Sequence, residues 1–276
     1  MKYYISTLIC MFCILVKSQT VLGNFSLPPD KYSIEMFDKS IQNVYYQLNY
    51  VSNPKSVNKK EVICVLELGK NFSKFFELNT IKYDSLAEKF SHQNNVSAKE
   101  MNQILPVYPK WKPVVLRDLN KNSITIQDKA RDNYQYTEEQ PAIIWKLGND
   151  TKSILGYTCY KATAEFRGRK YTAWYSKDIP INNGPYLFNG LPGLIMEIED
   201  RKNHYHFTAI AMDKKPMNIY LRNEDQIFKI TRKKFREIQK TYHDNPAFFH
   251  GSSYDAEGNV IRETVKAKPY NPIELD

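Results

Sequence analysis

The sequence predicts an α+β fold dominated by β structure: a curved antiparallel sheet, or half-open barrel, with a few helices packed on one side. Three observations predict it. Apolar and polar residues alternate at period two near the start of the chain and again through its second half. Arg167-Gly168 divides two such runs in the manner of a tight hairpin. Helical spacing is confined to short stretches, about 79–105 and 232–243.

The first strand is read from Val44, Tyr46, Leu48 and Tyr50 alternating with Tyr45, Gln47 and Asn49. A second follows from Val62, Cys64, Leu66 and Leu68 alternating with Glu61 and Glu67, antiparallel to the first across Asn53-Pro54-Lys55. Between 79 and 105 the pattern becomes helical. Leu86 and Phe90 lie four apart, and Ser97 with Glu100 forms a capping box; one or two short helices end before Pro106. Strand-like pieces resume at Val114–Leu116, Ser123–Gln127 and Ala142–Leu147.

The turn at Arg167-Gly168 fixes a register for a hairpin from Tyr157 to Ser176. Phe166 faces Arg169, Ala164 faces Tyr171, Ala162 faces Ala173 and Tyr160 faces Tyr175, an alanine–tyrosine face suited to the core. The other face pairs Glu165 with Lys170, Thr163 with Thr172 and Lys161 with Trp174, each favourable across strands. A second hairpin turning at Arg201-Lys202 would set Ile198 against Tyr205 and Met196 against Phe207, with Glu199 opposite His204 and Glu197 opposite His206. A helix from Arg232 to His243 follows, capped by Thr231, with Phe235, Ile238 and Tyr242 on one stripe. Residues 252–276 read as a polar C-terminal tail.

The chain has 276 residues and a formal charge of +9, with 20 tyrosines, enough for a sizeable core. Residues 1–18 read as a secretory signal peptide: Lys2, an apolar run from Tyr3 to Val16, and cleavage after Ser18. Cys10 follows Ile9 and Cys13 follows Phe12, not the small residue a lipid-attachment cysteine takes, so a lipoprotein is not expected. The expected location is periplasmic or extracellular, with no transmembrane segment in the mature chain. Without residues 1–18 the charge falls to +7, since only Lys2 and Lys17 are removed. The basic residues are dispersed. Their densest cluster, Arg232-Lys233-Lys234 with Arg236, stands beside Glu237 and Asp244 and reads as a solvated helix face, so no nucleic-acid partner is expected. Cys64 and Cys159 remain after cleavage and are a candidate disulfide in an oxidising compartment; burial as free thiols is the alternative.

Gly190-Leu191-Pro192-Gly193-Leu194-Ile195 packs two glycines and a proline into six residues. Pro192 presets its own φ and extends Leu191; the glycines allow conformations closed to other residues. The run predicts a bend that feeds Leu194 and Ile195 back into the sheet, with no reactive side chain. It has no phosphate-loop ending. Together with Tyr157-Thr158-Cys159-Tyr160-Lys161, Phe166-Arg167-Gly168-Arg169, Ala173-Trp174-Tyr175, Ile179-Pro180-Ile181, Gly184-Pro185 and the final Asn271-Pro272-Ile273-Glu274, it resembles the GLPGLI family of exported Bacteroidota proteins. The resemblance implies one domain over residues 19–276, export in a diderm bacterium and a β-rich fold. It carries over no activity and no catalytic residue.

The sharpest chemical constellation is Glu197, Glu199, His204 and His206, a nitrogen and oxygen donor set for zinc or copper if the second hairpin holds its register. Ordinary cross-strand Glu–His pairs are the simpler reading. Trp174 beside Lys161 is the candidate ligand-touching aromatic. Ser73-Lys74 lacks the spacing for a serine–lysine pair, and Ser85, Ser91 and Ser97 lack a nucleophile-elbow context. The leading expectation is therefore a non-enzymatic binding or interaction module of the cell envelope. It would shelter an apolar small ligand under the alanine–tyrosine face, or meet an outer-membrane protein. A metal-binding protein is the alternative, and a hydrolase of unrecognised type is the third.

Overall fold

The computed structural model of the chain describes residues 21–249, 253–254, 260–261 and 266–276. The signal-peptide reading of residues 1–18 lies outside the described residues, as does most of 252–265. The strands are β1 (Ile34–Tyr50), β2 (Lys60–Gly69), β3 (Phe72–Glu77), β4 (Val114–Asp118), β5 (Ser123–Lys129), β6 (Asn133–Glu139) and β7 (Lys146–Ile154), then β8 (Tyr157–Phe166), β9 (Arg169–Ser176), β10 (Leu194–Asp200), β11 (Tyr205–Asp213), β12 (Asn218–Arg222) and β13 (Ile227–Lys229). The helices are α1 (Asn79–Ser91), α2 (Ala98–Ile104) and α3 (Arg232–Asp244). The strands make one open sheet in the order β13-β6-β5-β4-β3-β2-β1-β11-β10-β9-β8-β7, with β12 also on β1. All pairings in it are antiparallel except β13 with β6.

The period-two pattern explains the centre. Val44, Tyr46 and Leu48 of β1 pair with Leu66, Cys64 and Val62 of β2, and all six are buried. β1 is long enough to serve two partners on its other side, β12 along its first part and β11 along its last. The sheet curls, because Arg167 in the β8–β9 turn reaches Glu138 of β6 at 3.0 Å although those strands are far apart in its order.

The β8–β9 hairpin takes the register read from its turn, from Tyr160↔Tyr175 to Phe166↔Arg169. Arg167 and Gly168 both have positive φ, +49° and +75°, as a tight primed turn requires. Ala162, Tyr171, Ala173 and Tyr175 are buried. The chain's own segment 177–193 packs on this face and shares its core. Leu187, Phe188 and Leu191 are buried there, and the Phe188 ring lies 4.7 Å from Tyr171 and 6.3 Å from Phe207.

The hexapeptide is the exit of that segment. Gly193 has φ +151°, and a Cβ there would overlap the Ser176 carbonyl. Leu194 N–H donates to Ile179 O at 2.9 Å, and Leu194 and Ile195 enter β10 fully buried. Gly184 lets Ile195 in, since a Cβ would stand 2.8 Å from the Ile195 Cβ.

The β10–β11 register differs from the expected one by two residues: Ile198 faces Phe207, Glu199 faces His206 and Glu197 faces Thr208. Arg201-Lys202 cannot supply a tight turn. Asp200 instead accepts from His204 N and Tyr205 N, both at 2.7 Å, and Asn203 takes φ +52°, giving a longer loop. The strand expected over Ala142–Leu147 begins only at Lys146, because Ile143 is buried and Trp145 Nε1 donates to Asn189 O at 2.7 Å, both against segment 177–193. Strands β3, β6, β12 and β13 were not legible; β3 buries Lys74 where alternation would place an exposed polar residue. The helices match their signals. Ser97 and Glu100 form the capping box of α2, and Thr231 Oγ1 caps α3 by accepting from Lys234 N at 3.2 Å. Phe235 of α3 packs 5.7 Å from the rings of both Tyr134 and Tyr136.

Candidate functional site

Helix α3 and the C-terminal segment 266–276 stand over the sheet rim where β4 begins and β5 ends, and border a partly open cavity of about 210 Å³. Its wall is aromatic, with Tyr50, Trp111, Tyr136, Tyr186, Tyr205 and Phe235. Arg236, Gln239 and His243 line it from α3, and residues 269–274 close it. A second cavity of about 170 Å³ adjoins it, walled by Tyr83 and Tyr108; the two share Lys112, Asp128 and Lys129.

Local contacts fix this wall. Glu77 Oε2 accepts from Lys110 N at 2.7 Å and Trp111 N at 2.5 Å, which pins the loop leading to β4. The Trp111 ring then meets Tyr50 at 5.4 Å and Tyr205 at 5.9 Å, edge to face. The closing segment is anchored from two sides. Arg169, buried, donates to Pro272 O at 2.6 Å and Ile273 O at 3.0 Å. Glu274 binds the Tyr186 hydroxyl and Arg232, whose Nε lies 2.9 Å from Oε2. Within the stretch read as a polar tail, Ile273 and Glu274 are therefore buried.

Six buried side-chain polar atoms lack a partner among the described residues, and three of them, Trp111 Nε1, Arg236 Nε and His243 Nδ1, belong to residues lining the larger cavity. Such atoms are costly unless something binds them. Charge concentrates at the shared opening. Lys112 Nζ stands 3.5 Å from the Tyr108 ring centroid and Lys129 Nζ 5.8 Å from it. Among the described residues neither ammonium group lies within 4.0 Å of a carboxylate oxygen. Burial pushes the Tyr108 phenol up, but the charges and hydrogen bonds of Lys112 and Lys129 outweigh it and hold the phenol below the usual tyrosine value. Burial pulls the Lys112 ammonium down, and pushes the Asp128 carboxyl up to about 7. His243 is held below the usual histidine value, again chiefly by burial. This arrangement offers donors, cations and ring faces to one small guest.

The residues singled out in the sequence lie elsewhere. His206 Nε2 is 3.2 Å from Glu197 Oε1, and Lys152 Nζ is 2.7 Å from Glu197 Oε2, so a cation of the protein already occupies that carboxylate. His204 sits in the loop, with Nδ1 3.5 Å from the Arg169 guanidinium, and does not join His206. Glu199 pairs with His206 across the strands. Among the described residues no three His, Cys, Asp or Glu side chains converge for a metal. Lys161 faces Trp174, with Nζ 5.9 Å from its ring, but Lys152 sits closer at 4.5 Å and Lys161 is held by Asp150 at 2.7 Å. Cys64 and Cys159 are free and buried. Of the two readings open for them, burial as free thiols holds and the disulfide is not formed, because β2 and β8 are separated by β1, β11, β10 and β9. Sequence reasoning missed the cavity residues. Their one signal was the alternation of Tyr108, Lys110, Trp111 and Lys112 between prolines.

A search of curated proteins returns no match. Among solved structures, PNGF-II in space group P21 is similar with a TM-score of 0.46 and 13% identity, over 75% of this chain and 34% of that one. PNGF-II in space group C2 is similar with a TM-score of 0.45 and 14% identity, over 75% of this chain and 34% of that one. The chain thus spans about a third of the length of those structures. Residues 165–197, from the β8–β9 turn through the hexapeptide into β10, match the model of a Bacteroidota-associated family described as "Protein of unknown function (Porph_ging)".

Proposed function

We propose that this chain is a non-enzymatic binding module of the cell envelope, exported by the signal peptide at residues 1–18, and that it holds a small ligand in the cavity beneath α3 and the C-terminal segment. The observation that carries the reading is the gathering of three unpartnered buried polar atoms, those of Trp111, Arg236 and His243, in residues of one aromatic-lined cavity. Its aromatic wall is packed ring against ring, and its closing segment is tied down by Arg169, Tyr186 and Arg232. Such a preformed site binds without paying for much ordering. The ordered motif series supports placement among GLPGLI proteins, and the matched segment 165–197 includes its central pieces.

Native mass spectrometry of protein purified from its own host tests the binding. A co-purifying small molecule that is lost from a Trp111→Ala variant of unchanged secondary structure is the expected result. Protein that is empty in every preparation overturns it. N-terminal sequencing of the envelope fraction tests export: a chain starting at Gln19 is expected, and an intact Met1 in the cytoplasm overturns it.

A further inference from the structure

The junction of the two cavities carries more chemistry than an apolar guest needs. Lys112, from the loop before β4, and Lys129, from the end of β5, converge on the Tyr108 ring, which stands edge-on to Tyr83 at 5.3 Å. The Lys112 ammonium is held in place by the Pro109 carbonyl. Arg236 enters the same cavity from α3, with its Nε unpartnered among the described residues. Asp128 and Glu274 line the inner cavity, and the adjoining one adds Asp30, Asp84 and Glu224, the last two bound by Arg222. Glu274 is neutralised by Arg232 and bonded to Tyr186. Asp128 accepts from its neighbour Lys129 N at 2.7 Å, and burial favours its neutral form, which can donate a hydrogen bond. Lys112 and Lys129 thus stand at this junction with no carboxylate oxygen within 4.0 Å among the described residues. Behind it lie the mutually packed rings of Trp111, Tyr50 and Tyr205, which line the inner cavity.

We infer that Lys112, Lys129 and Tyr108 form a head-group site, which takes the oxyanion of a small amphiphile whose apolar body lies on the rings of the inner cavity. This rests on the cavity being a ligand site. A carboxylate or a phosphate offers the same acceptor oxygens, and each charge-assisted bond formed away from bulk water is strong. An uncharged head of equal size would leave two partly buried ammonium groups without a counter-charge.

The test is calorimetric titration of the purified protein with octanoate, octyl phosphate and octanol at pH 6. At least one of the two anions is expected to bind about tenfold or more tightly than octanol. A Lys112→Gln/Lys129→Gln variant with an unchanged melting temperature should bind that anion no better than octanol. Tighter octanoate assigns a carboxylate head and tighter octyl phosphate a phosphate head. Equal affinity for all three, or full anion affinity in the variant, overturns the head-group site while leaving the cavity as a ligand site. Binding of none of the three overturns the head-group site, and mass spectrometry then decides the cavity separately.

Discussion

Arg169 reaches Asn271, 102 residues further along the chain, and donates to its Oδ1 at 2.8 Å. The same guanidinium pairs with Asp200 at 3.0 Å, with side-chain exposures of 3% and 2%. Asn271 in turn donates to Val51 O at 2.6 Å. One residue of the β8–β9 hairpin thus joins the β10–β11 loop, the end of the chain and the exit of β1.

Removing that guanidinium leaves Asp200 buried without its partner. Arg169→Ala is expected to cost about 3–5 kcal/mol. Arg169→Lys should recover only part of it, because an ammonium lacks the planar fork that serves several acceptors. Asn271→Ala loses two hydrogen bonds and should cost about 1–3 kcal/mol. Urea unfolding with linear extrapolation measures all three. A cost below about 1 kcal/mol for Arg169→Ala would show that the latch carries little of the fold.

The two hexapeptide glycines should differ in tolerance. A Cβ at Gly193 overlaps backbone, the Ser176 carbonyl, whereas at Gly190 it meets the Trp145 side chain at 3.3 Å. Both have positive φ, so both substitutions strain the chain. Gly193→Ala is expected to abolish soluble expression or lower the melting temperature far more than Gly190→Ala. Equal shifts would contradict the geometry.

Glu67 and Lys74 lie opposite each other on β2 and β3, both buried. Burial pushes the Glu67 carboxyl up to about 7 and pulls the Lys74 ammonium down, while Lys74 Nζ stands 3.8 Å from the Tyr220 ring centroid. Lys74→Met alone leaves a buried carboxylate and should cost about 3–5 kcal/mol at pH 8. The cost should shrink at pH 5, where Glu67 takes up a proton. Glu67→Leu/Lys74→Met should lie close to the parent, since it removes both charges. A double-mutant cycle by chemical denaturation at the two pH values checks this.

Asp128 predicts a pH dependence of stability. Burial raises its folded carboxyl to about 7, above the unfolded value, which is about 4. Arg236 of α3, Glu274 of the C-terminal segment and Lys112 also act on it. A raised carboxyl contributes stability that is complete below about pH 4 and is lost as the pH rises to about 7. Asp128→Asn should therefore gain melting temperature relative to the parent between pH 5 and pH 8. A constant difference across that range would mean that Asp128 ionises freely in the folded protein.

Much of the local structure was legible. The Arg167-Gly168 turn and its favourable rows set the β8–β9 register, the alternation around Tyr46 and Cys64 set β1 against β2, and Ser97 and Thr231 capped their helices. The β10–β11 register was misread because Asp200, not Arg201-Lys202, shapes its loop through side-chain bonds that alternation does not report.

What the sequence by itself determined is therefore the set of interactions between near neighbours, where side-chain period and turn chemistry act directly on the backbone. Only the tertiary structure decided that segment 177–193 packs on the alanine–tyrosine face, that Cys64 and Cys159 stay apart, and that Trp111, Lys112, Asp128 and Arg236 line one cavity. Those outcomes depend on how far the sheet curls and on where the end of the chain is tied. Arg169 settles the second across 102 residues, with partners that no local pattern announces.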